Sequence, residues 1–201
     1  MNYVDCFRTL AARRTDQLVI TSAGNSGQAW WEATRDSEST FYLDASMSLS
    51  TMFGCGLALA QPGMNIWAFM GDGAFCMNPG MLMVERELAP ANFIHFLVSN
   101  RSYGATSNAA LPNRKANDFP AIARGMGLER VFAFDTLDAL SAGLDEVLSV
   151  KAHAFVALEV EPFSAAEQRL EQPPIDAPEL KYRVGRYIER RTGTDIFGYK
   201  L

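Results

Sequence analysis

The stretch FMGDGAFCMNPG, residues 69–80, places an acidic residue between two glycines at the abrupt end of an apolar run. The run itself, residues 65–70, predicts a buried strand, and a helix is predicted over residues 78–88. Glycines on both sides of Asp72 let the backbone approach a ligand closely, but they also suit an ordinary turn. The surrounding sequence has to decide whether Asp72 has a function.

The alternation of short apolar runs with longer helical patterns extends over most of the chain. Four further strands are predicted, at residues 17–21, 93–99, 130–134 and 155–160. Four further helices are predicted, at residues 27–34, 46–60, 118–126 and 136–150. Such alternation is typical of a parallel sheet covered on both faces. The sequence therefore predicts an α/β domain, residues 1–161, with a doubly wound, mostly parallel sheet and helices on both faces.

The character of the chain changes after residue 161. The segment EQPPIDAPELK contains three prolines and no periodicity, and the residues after it alternate basic and aromatic side chains. A segment of this kind has little apolar surface to bury. We expect residues 162–201 to form an extended C-terminal tail that wraps another subunit or the surface of the domain.

Composition and charge narrow the classes of function. With 201 residues, 48% apolar and 20% charged, the chain is long enough for one well-buried core. A net charge of −5 and scattered basic residues argue against a nucleic-acid partner. No apolar run approaches the roughly 18 residues of a membrane span, and the N-terminus lacks a signal-peptide pattern. We expect a soluble cytoplasmic protein.

Cysteine and histidine give no sign of chemistry in this sequence. The three cysteines lack CxxC spacing, so neither a disulfide framework nor a zinc or iron–sulfur site is indicated. His95 and His153 both lie in apolar stretches, where a packed, hydrogen-bonded histidine is commoner than a catalytic one.

Three of the predicted strands end in sequences that suit a ligand better than packing. These are TSAGNSG at residues 21–27, GDGAF at residues 71–75 and SNRSYG at residues 99–104. In an open parallel sheet, ligands bind at the carboxyl ends of the strands, where strand order reverses. Glycines and a following helix suit a phosphate, but the Asp72 carboxylate beside a phosphate requires a cation such as Mg²⁺. The Asn100 amide oxygen and the Ser102 carbonyl are the expected further ligands.

The spacing of these residues resembles that of a known family. Between Gly73 and Asn100 lie 26 residues, enough for one helix and one strand. This GDG-x26-N pattern is similar to the thiamine diphosphate fingerprint. Residues 41–108 and the segment DFPAIARGMGL, residues 118–128, resemble the diphosphate-binding domain of two-subunit 2-oxoacid decarboxylases. The likeness is greatest to sulfopyruvate decarboxylase β subunits and to the C-terminal halves of phosphonopyruvate decarboxylases.

The resemblance implies a role for particular residues of this chain. It implies a thiamine-diphosphate-binding fold with Mg²⁺ held by Asp72, the Asn100 side chain and the Ser102 backbone oxygen. It implies that Met47 lies beneath the cofactor and sets its bent conformation, and that the Ala45 carbonyl meets the pyrimidine ring. The other implied cofactor-binding residues are Gly24, Asn25, Ser26, Ser46, Gly71, Gly73, Ala74, Phe75, Tyr103 and Gly104.

Two departures from the family pattern concern the substrate. Relatives of the phosphonopyruvate and sulfopyruvate type carry Ser-Arg-Glu after the first loop, whereas this chain has Gly27, Gln28 and Ala29. An arginine suited to an anionic substrate is therefore missing at this position. Residues 105–108 also differ from the glycine pair and glutamine usual in the family. The identity of the 2-oxoacid stays open.

The resemblance also implies a partner. In this family a glutamate from a separate pyrimidine-binding domain activates the cofactor, and only about 16 residues precede the first predicted strand, far fewer than the roughly 150 of a second domain. We expect an α-type pyrimidine-binding subunit, most simply in an α2β2 heterotetramer. Glu85 and Glu87 are candidate internal substitutes, but we expect them on a solvated or interfacial helix face.

Other functions remain open at this stage. A carboligase subunit of acetolactate-synthase type would bind the same cofactor and form an acyloin. A non-catalytic regulatory or binding subunit could retain the fold without the chemistry, although retained metal ligands argue against it. The absence of cysteine clusters disfavours a 2-oxoacid:ferredoxin oxidoreductase, and the absence of GxGxxG after any strand disfavours a dehydrogenase.

Overall fold

The chain folds around one parallel sheet, as seen in a computed structural model that describes residues 1–43, 46–173 and 176–198. In the described ranges the sheet has six strands in the order β2-β1-β3-β4-β6-β5. The strands are β1 (Leu18–Thr21), β2 (Thr40–Tyr42), β3 (Ile66–Gly71), β4 (Phe93–Ser99), β5 (Val131–Phe134) and β6 (Ala154–Glu159). The helices are α1 (Tyr3–Arg13), α2 (Asn25–Thr34), α3 (Ser50–Ala60), α4 (Asp72–Phe75), α5 (Met81–Leu88), α6 (Phe119–Gly125), α7 (Leu137–Ser149) and α8 (Ala177–Thr192). This confirms the predicted α/β fold.

Strand order creates a crevice beside β1. The chain passes from β1 outward to β2 and then crosses back to form β3 on the other side of β1. The register pairs Thr21 with Phe69 and Gly71 with Val98, so β1, β3 and β4 end at the same edge of the sheet. Such a reversal is where open α/β sheets bind ligands.

Aromatic packing holds the sheet between its helices. β1 is buried along its whole length and β3 along all but its last residue, which explains their continuous apolar sequences. On one face, Phe7 of α1 and Trp30 of α2 pack on Phe69, with ring centroids 4.9 and 5.3 Å away. The Trp30 indole donates a 2.9 Å hydrogen bond to Thr40 Oγ1, which anchors the edge strand β2.

The predicted elements agree with the structure more closely for strands than for helices. Strand β4 has the predicted bounds, and the other four predicted strands differ by one residue at one or both ends. The helix predicted over residues 78–88 starts later, at Met81, and a separate single turn begins at Asp72. The helix predicted from residue 46 starts at Ser50. Strand β2 and helix α1 were not predicted.

The description of the tail as extended and aperiodic was wrong for residues 177–192. They form α8, which Asp176 caps by accepting a hydrogen bond from the Glu179 N–H, and which ends at Gly193 with φ of 71°. Leu180, Val184 and Ile188 are buried in the main core of the domain. Contact of the tail with another subunit stays a prediction.

The described helices can also be compared with a membrane span in length and hydropathy. None of these described helices is both long and apolar enough to span a bilayer.

Candidate functional site

The carboxyl ends of β1, β3 and β4 surround one cavity. Loops at residues 22–26, 71–74 and 100–106 form its walls, so the three glycine-rich loops singled out in the sequence do meet. The expected site residues that line this cavity are Asn25, Ser26, Met47, Gly71, Asp72, Gly73, Ala74, Asn100, Ser102, Tyr103 and Gly104.

Asp72 is a buried carboxylate that accepts hydrogen bonds but has no ion pair with a described side chain. It is 2% exposed. Its Oδ1 accepts the Gly73 N–H at 2.8 Å, and its Oδ2 accepts the Ser99 hydroxyl at 3.0 Å and the Arg101 N–H at 2.6 Å. Burial raises the pKa of this carboxyl to about 6, although those three hydrogen bonds oppose the rise. In the described ranges Asp72 has no salt bridge, so a bound cation would supply the missing positive charge.

Asn100 and Ser102 lie in the neighbouring loop. Asn100 Oδ1 accepts the Ser102 N–H at 3.1 Å and the Ser102 hydroxyl at 3.2 Å. The amide oxygen therefore faces its own loop, and a metal ion would share it with Ser102 or take it over. Among the described residues, no group of three or more His, Cys, Asp or Glu side chains is arranged to hold a metal ion by itself. A site with one carboxylate suits Mg²⁺, which keeps phosphate and water ligands.

Close approach of the loops depends on glycine. A Cβ on Gly73 would lie 2.8 Å from the Tyr103 ring, and one on Gly24 would lie 2.4 Å from Ala105 Cβ. Gly24 also has φ of 88°, which side chains other than glycine rarely adopt. Gly24 thus lets the first loop approach the third, and Gly73 lets the second loop approach the third.

The cavity also presents unused hydrogen-bond donors. Helix α2 begins at Asn25 without a side-chain cap, and its first residues, Asn25 and Ser26, line the cavity, so its positive dipole end lies at the cavity. The Asn25 Nδ2 group is buried and has no partner in the described structure. Free N–H groups beside a buried carboxylate fit a phosphate group with a divalent cation between them.

Other expected residues have different positions. Met47 lines the cavity and is 39% exposed. Phe75 is buried in a smaller core against Phe119, with ring centroids 5.6 Å apart, so only its backbone could meet a ligand. Gly24 lines a second cavity next to the first. The Ser46 carbonyl accepts the Leu49 N–H at 3.3 Å. Ala45 lies outside the described residues.

Sequence reasoning missed Tyr3 at this site. Its side chain lines the cavity, and its hydroxyl shares a 3.0 Å hydrogen bond with Ser26 Oγ. Tyr3 comes from α1, which was not predicted, and nothing in MNYVDCF marks a tyrosine that reaches a loop 23 residues away.

The expectation that Glu85 lies on a solvated or interfacial face was wrong. Glu85 is fully buried, and both its oxygens lie 3.1 Å from His95 Nδ1, while His153 Nε2 lies 3.2 Å from Oε2. The histidines are thus packed and hydrogen-bonded, as expected. Glu87, two residues on, is exposed. Neither glutamate lines the cavity.

The comparison with known families is decisive at this point. Residues 22–160 match the family model described as thiamine pyrophosphate enzyme, C-terminal TPP binding domain. The chain belongs to this family. The matched residues contain all three loops of the cavity, and thiamine pyrophosphate (thiamine diphosphate) carries the diphosphate group that the geometry of those loops suits.

Relatives of this thiamine pyrophosphate enzyme domain include decarboxylases of two lengths. The sulfopyruvate decarboxylase subunit beta of Methanocaldococcus jannaschii is 30% identical over 174 residues, which cover 87% of this chain and 89% of that protein. The phosphonopyruvate decarboxylase of Streptomyces viridochromogenes is 28% identical, with 90% of this chain matching 44% of that protein. The chain thus spans less than half of this longer relative.

Solved structures agree on the fold of the domain. Benzoylformate decarboxylase from Polynucleobacter necessarius matches 84% of this chain with a TM-score of 0.66 and 19% identity. The 4-hydroxybenzoylformate decarboxylase of Rhodococcus jostii RHA1 matches 80% with a TM-score of 0.63 and 17% identity. This chain spans only 34% and 33% of those two proteins.

Proposed function

We propose that this chain is the diphosphate-binding subunit of a heteromeric, cytoplasmic lyase that decarboxylates a small 2-oxoacid with thiamine diphosphate and Mg²⁺. The observation that carries the proposal is the buried Asp72 carboxylate, which has no salt bridge to a described side chain and lies near the uncapped start of α2 at a strand-order reversal. When bound, thiamine diphosphate supplies the carbon nucleophile and the electron sink for decarboxylation.

Each residue of the cavity then has a defined task. Asp72, the Asn100 amide oxygen and the Ser102 carbonyl would hold Mg²⁺. The N–H groups at the start of α2, together with Asn25 Nδ2, would donate to the diphosphate oxygens, whereas the Gly73 N–H donates to Asp72 Oδ1 and orients that carboxylate. Met47 lines the cavity and would support the cofactor from below. These residues would position and orient the cofactor. None of them is assigned a proton transfer.

The activating glutamate is assigned to a separate α-type subunit. Among the described residues that line the cavity, Asp72 is the sole carboxylate. Two relatives named subunit beta are matched over 89% of their length and a third over 71%. The decarboxylases without that name are matched over only 43–44% of their length. The remaining half of the longer relatives corresponds in size to the expected partner, and α2β2 is the simplest assembly.

Cofactor binding tests the metal assignment. Isothermal titration of the assembled complex with thiamine diphosphate, with and without Mg²⁺, is compared for the wild type and Asp72→Asn. We expect Asp72→Asn to abolish the dependence on Mg²⁺, because the amide removes the charged ligand. Asp176→Asn is the matched control, since asparagine also caps α8. Equal binding by Asp72→Asn and the wild type would contradict the catalytic role.

The need for a partner is tested by activity. CO₂ release from 2-oxoacids is measured for the purified chain alone and after reconstitution with the candidate α-type subunit. We expect release only from the complex. Turnover by the chain alone would refute the heteromeric assignment, and an acyloin in place of an aldehyde would indicate a carboligase.

A further inference from the structure

A second cavity opens beside the first, at the carboxyl ends of β1 and β2. Its volume is about 460 Å³, within the roughly 300–1,000 Å³ usual for small-ligand sites. The two cavities share walls at Ser22, Ala23, Met47, Ala105 and Thr106. A molecule that reacts at the first cavity can therefore extend into the second.

The second cavity contains a buried polar group that no described residue satisfies. Thr21 is 0% exposed and lines this cavity, and its hydroxyl has no hydrogen-bond partner in the described structure. Buried hydroxyls are normally paired, because leaving one without a partner costs free energy. A bound ligand with a polar atom at this point would pair with it.

The other walls are apolar or neutral. The described ones come from the end of β2, from the β1–α2 loop and the first turn of α2, and from two residues ahead of α8. The residues concerned are Tyr42, Leu43, Gly24, Gly27, Gln172 and Pro173. None of the described residues that line either cavity is Lys, Arg or His.

Nearby arginines are directed elsewhere. Arg101 belongs to the SNRSYG loop, yet its Nε donates to Glu159 at 2.9 Å and its side chain lines a different cavity. Arg35 pairs with Glu171 at 2.6 Å and with Glu32 at 2.7 Å. Both guanidinium groups are thus engaged by carboxylates and do not line the two cavities.

We propose that the second cavity binds the side chain of the 2-oxoacid, and that this side chain is uncharged and largely apolar. The inference rests on the proposed function. A sulfonate or phosphonate in this cavity would lose its water without meeting a cation among the described residues of this chain, which is unfavourable. An apolar side chain with at most one polar atom near Thr21 fits the walls.

The substrate range of the assembled enzyme tests the inference. At saturating thiamine diphosphate and Mg²⁺, kcat/KM is measured for 2-oxobutanoate, 4-methyl-2-oxopentanoate, sulfopyruvate and phosphonopyruvate. We expect kcat/KM to be higher by about tenfold or more for the two acids with uncharged side chains. This factor is the scale of one charge-assisted hydrogen bond. A preference for sulfopyruvate or phosphonopyruvate, whose side chains are anionic, would overturn the inference and leave the proposed function intact. Turnover of no 2-oxoacid would defeat both.

Two measurements test whether this cavity determines the preference between 2-oxoacid side chains. Gln172→Arg adds a cation to its wall, and we expect the preference for uncharged acids to fall by about threefold or more. Gln168→Arg, an exposed change on the same segment, is the control and should leave the preference unchanged. If the two variants behave alike, the assignment is wrong.

The second measurement separates substrate from cofactor. We expect Thr21→Val to raise KM for a 2-oxoacid whose side chain carries one hydroxyl, such as 4-hydroxy-2-oxobutanoate, and to leave KM for 2-oxobutanoate nearly unchanged, while the Kd for thiamine diphosphate, measured by calorimetry, stays within about twofold. If Kd rises as much as KM, the cavity holds part of the cofactor and the inference is overturned.

Discussion

Replacement of Glu85 by glutamine should destabilise the protein strongly above pH 5 and much less in acid. Burial alone would raise the pKa of Glu85, but His95 and His153 more than offset it and lower the pKa from 4.5 to about 2. A depression of that size corresponds to about 3 kcal/mol of stability, at 1.36 kcal/mol for each pH unit. Glu85 is fully buried, so solvent does not screen the interaction.

The pH dependence follows from the direction of the shift. Because the pKa in the folded state is lower than in the unfolded state, the stabilisation is fully present above about pH 4.5 and is lost as the pH falls towards 2. We expect Glu85→Gln to lower the free energy of unfolding by about 3 kcal/mol at pH 7 and by progressively less between pH 4.5 and 3.

Urea denaturation followed by circular dichroism at several pH values measures this difference. Glu87→Gln is the matched control, because Glu87 lies on the same helix but is exposed, and its effect should stay within about 0.5 kcal/mol. The reasoning is refuted if the two variants are equally stable at pH 7, or if the effect of Glu85→Gln does not decline in acid.

Three further outcomes are expected. Gly73→Ala should weaken thiamine diphosphate binding in calorimetry, and adding Tyr103→Ala should restore it partly, since the new Cβ would lie 2.8 Å from the Tyr103 ring; no rescue would exclude that clash as the cause. Leu180→Ala should lower the free energy of unfolding by about 2–5 kcal/mol, whereas Tyr182→Ala, at an exposed position, should cost much less. In thiol titration of the native protein Cys76 should react and the two buried cysteines should not, although burial raises the pKa of Cys76 and slows the reaction; labelling of all three before unfolding would contradict the buried positions.

The parallel sheet could be predicted because its central strands have an unambiguous pattern. Residues 66–71 and 93–99 are continuous apolar runs, and burial on both faces requires such runs. Strand β2 has only three residues, Thr40–Tyr42, which is too short for any period to emerge. Its place at the edge depends on partners distant in sequence, such as Trp30.

Helix α8 was missed because its signals conflict. Leu180, Val184 and Ile188 recur every four residues, which is a helical period. Arginines and tyrosines between them, and the prolines ahead of them, gave the segment the composition of a tail. The Asp176 cap and the Gly193 end were present in the sequence and would have indicated the helix.

At the candidate site, the sequence predicted the loops that form the cavity, but it did not predict contacts between residues distant in sequence. Strand ends and loop glycines are properties of short segments, so the meeting of Asp72 with the Asn100 loop followed from topology alone. The burial of Glu85 depends on His153, 68 residues away, and such a contact leaves no local mark. The position of Tyr3 at the cavity was missed for the same reason, because its hydroxyl contacts Ser26, 23 residues away.

The wall formed by Gln172 and Pro173 lies outside the part of the chain that the family model matches. These residues lie beyond residue 160, where the match to the family model ends, whereas the loops around Asp72 lie within it. Their segment is tethered to the domain by a 3.2 Å hydrogen bond from Gln28 to the Leu170 carbonyl and by the buried face of α8. Exchange of Gln172 or Pro173 can therefore reshape the second cavity without touching the loops around Asp72, because neither residue lines the first cavity.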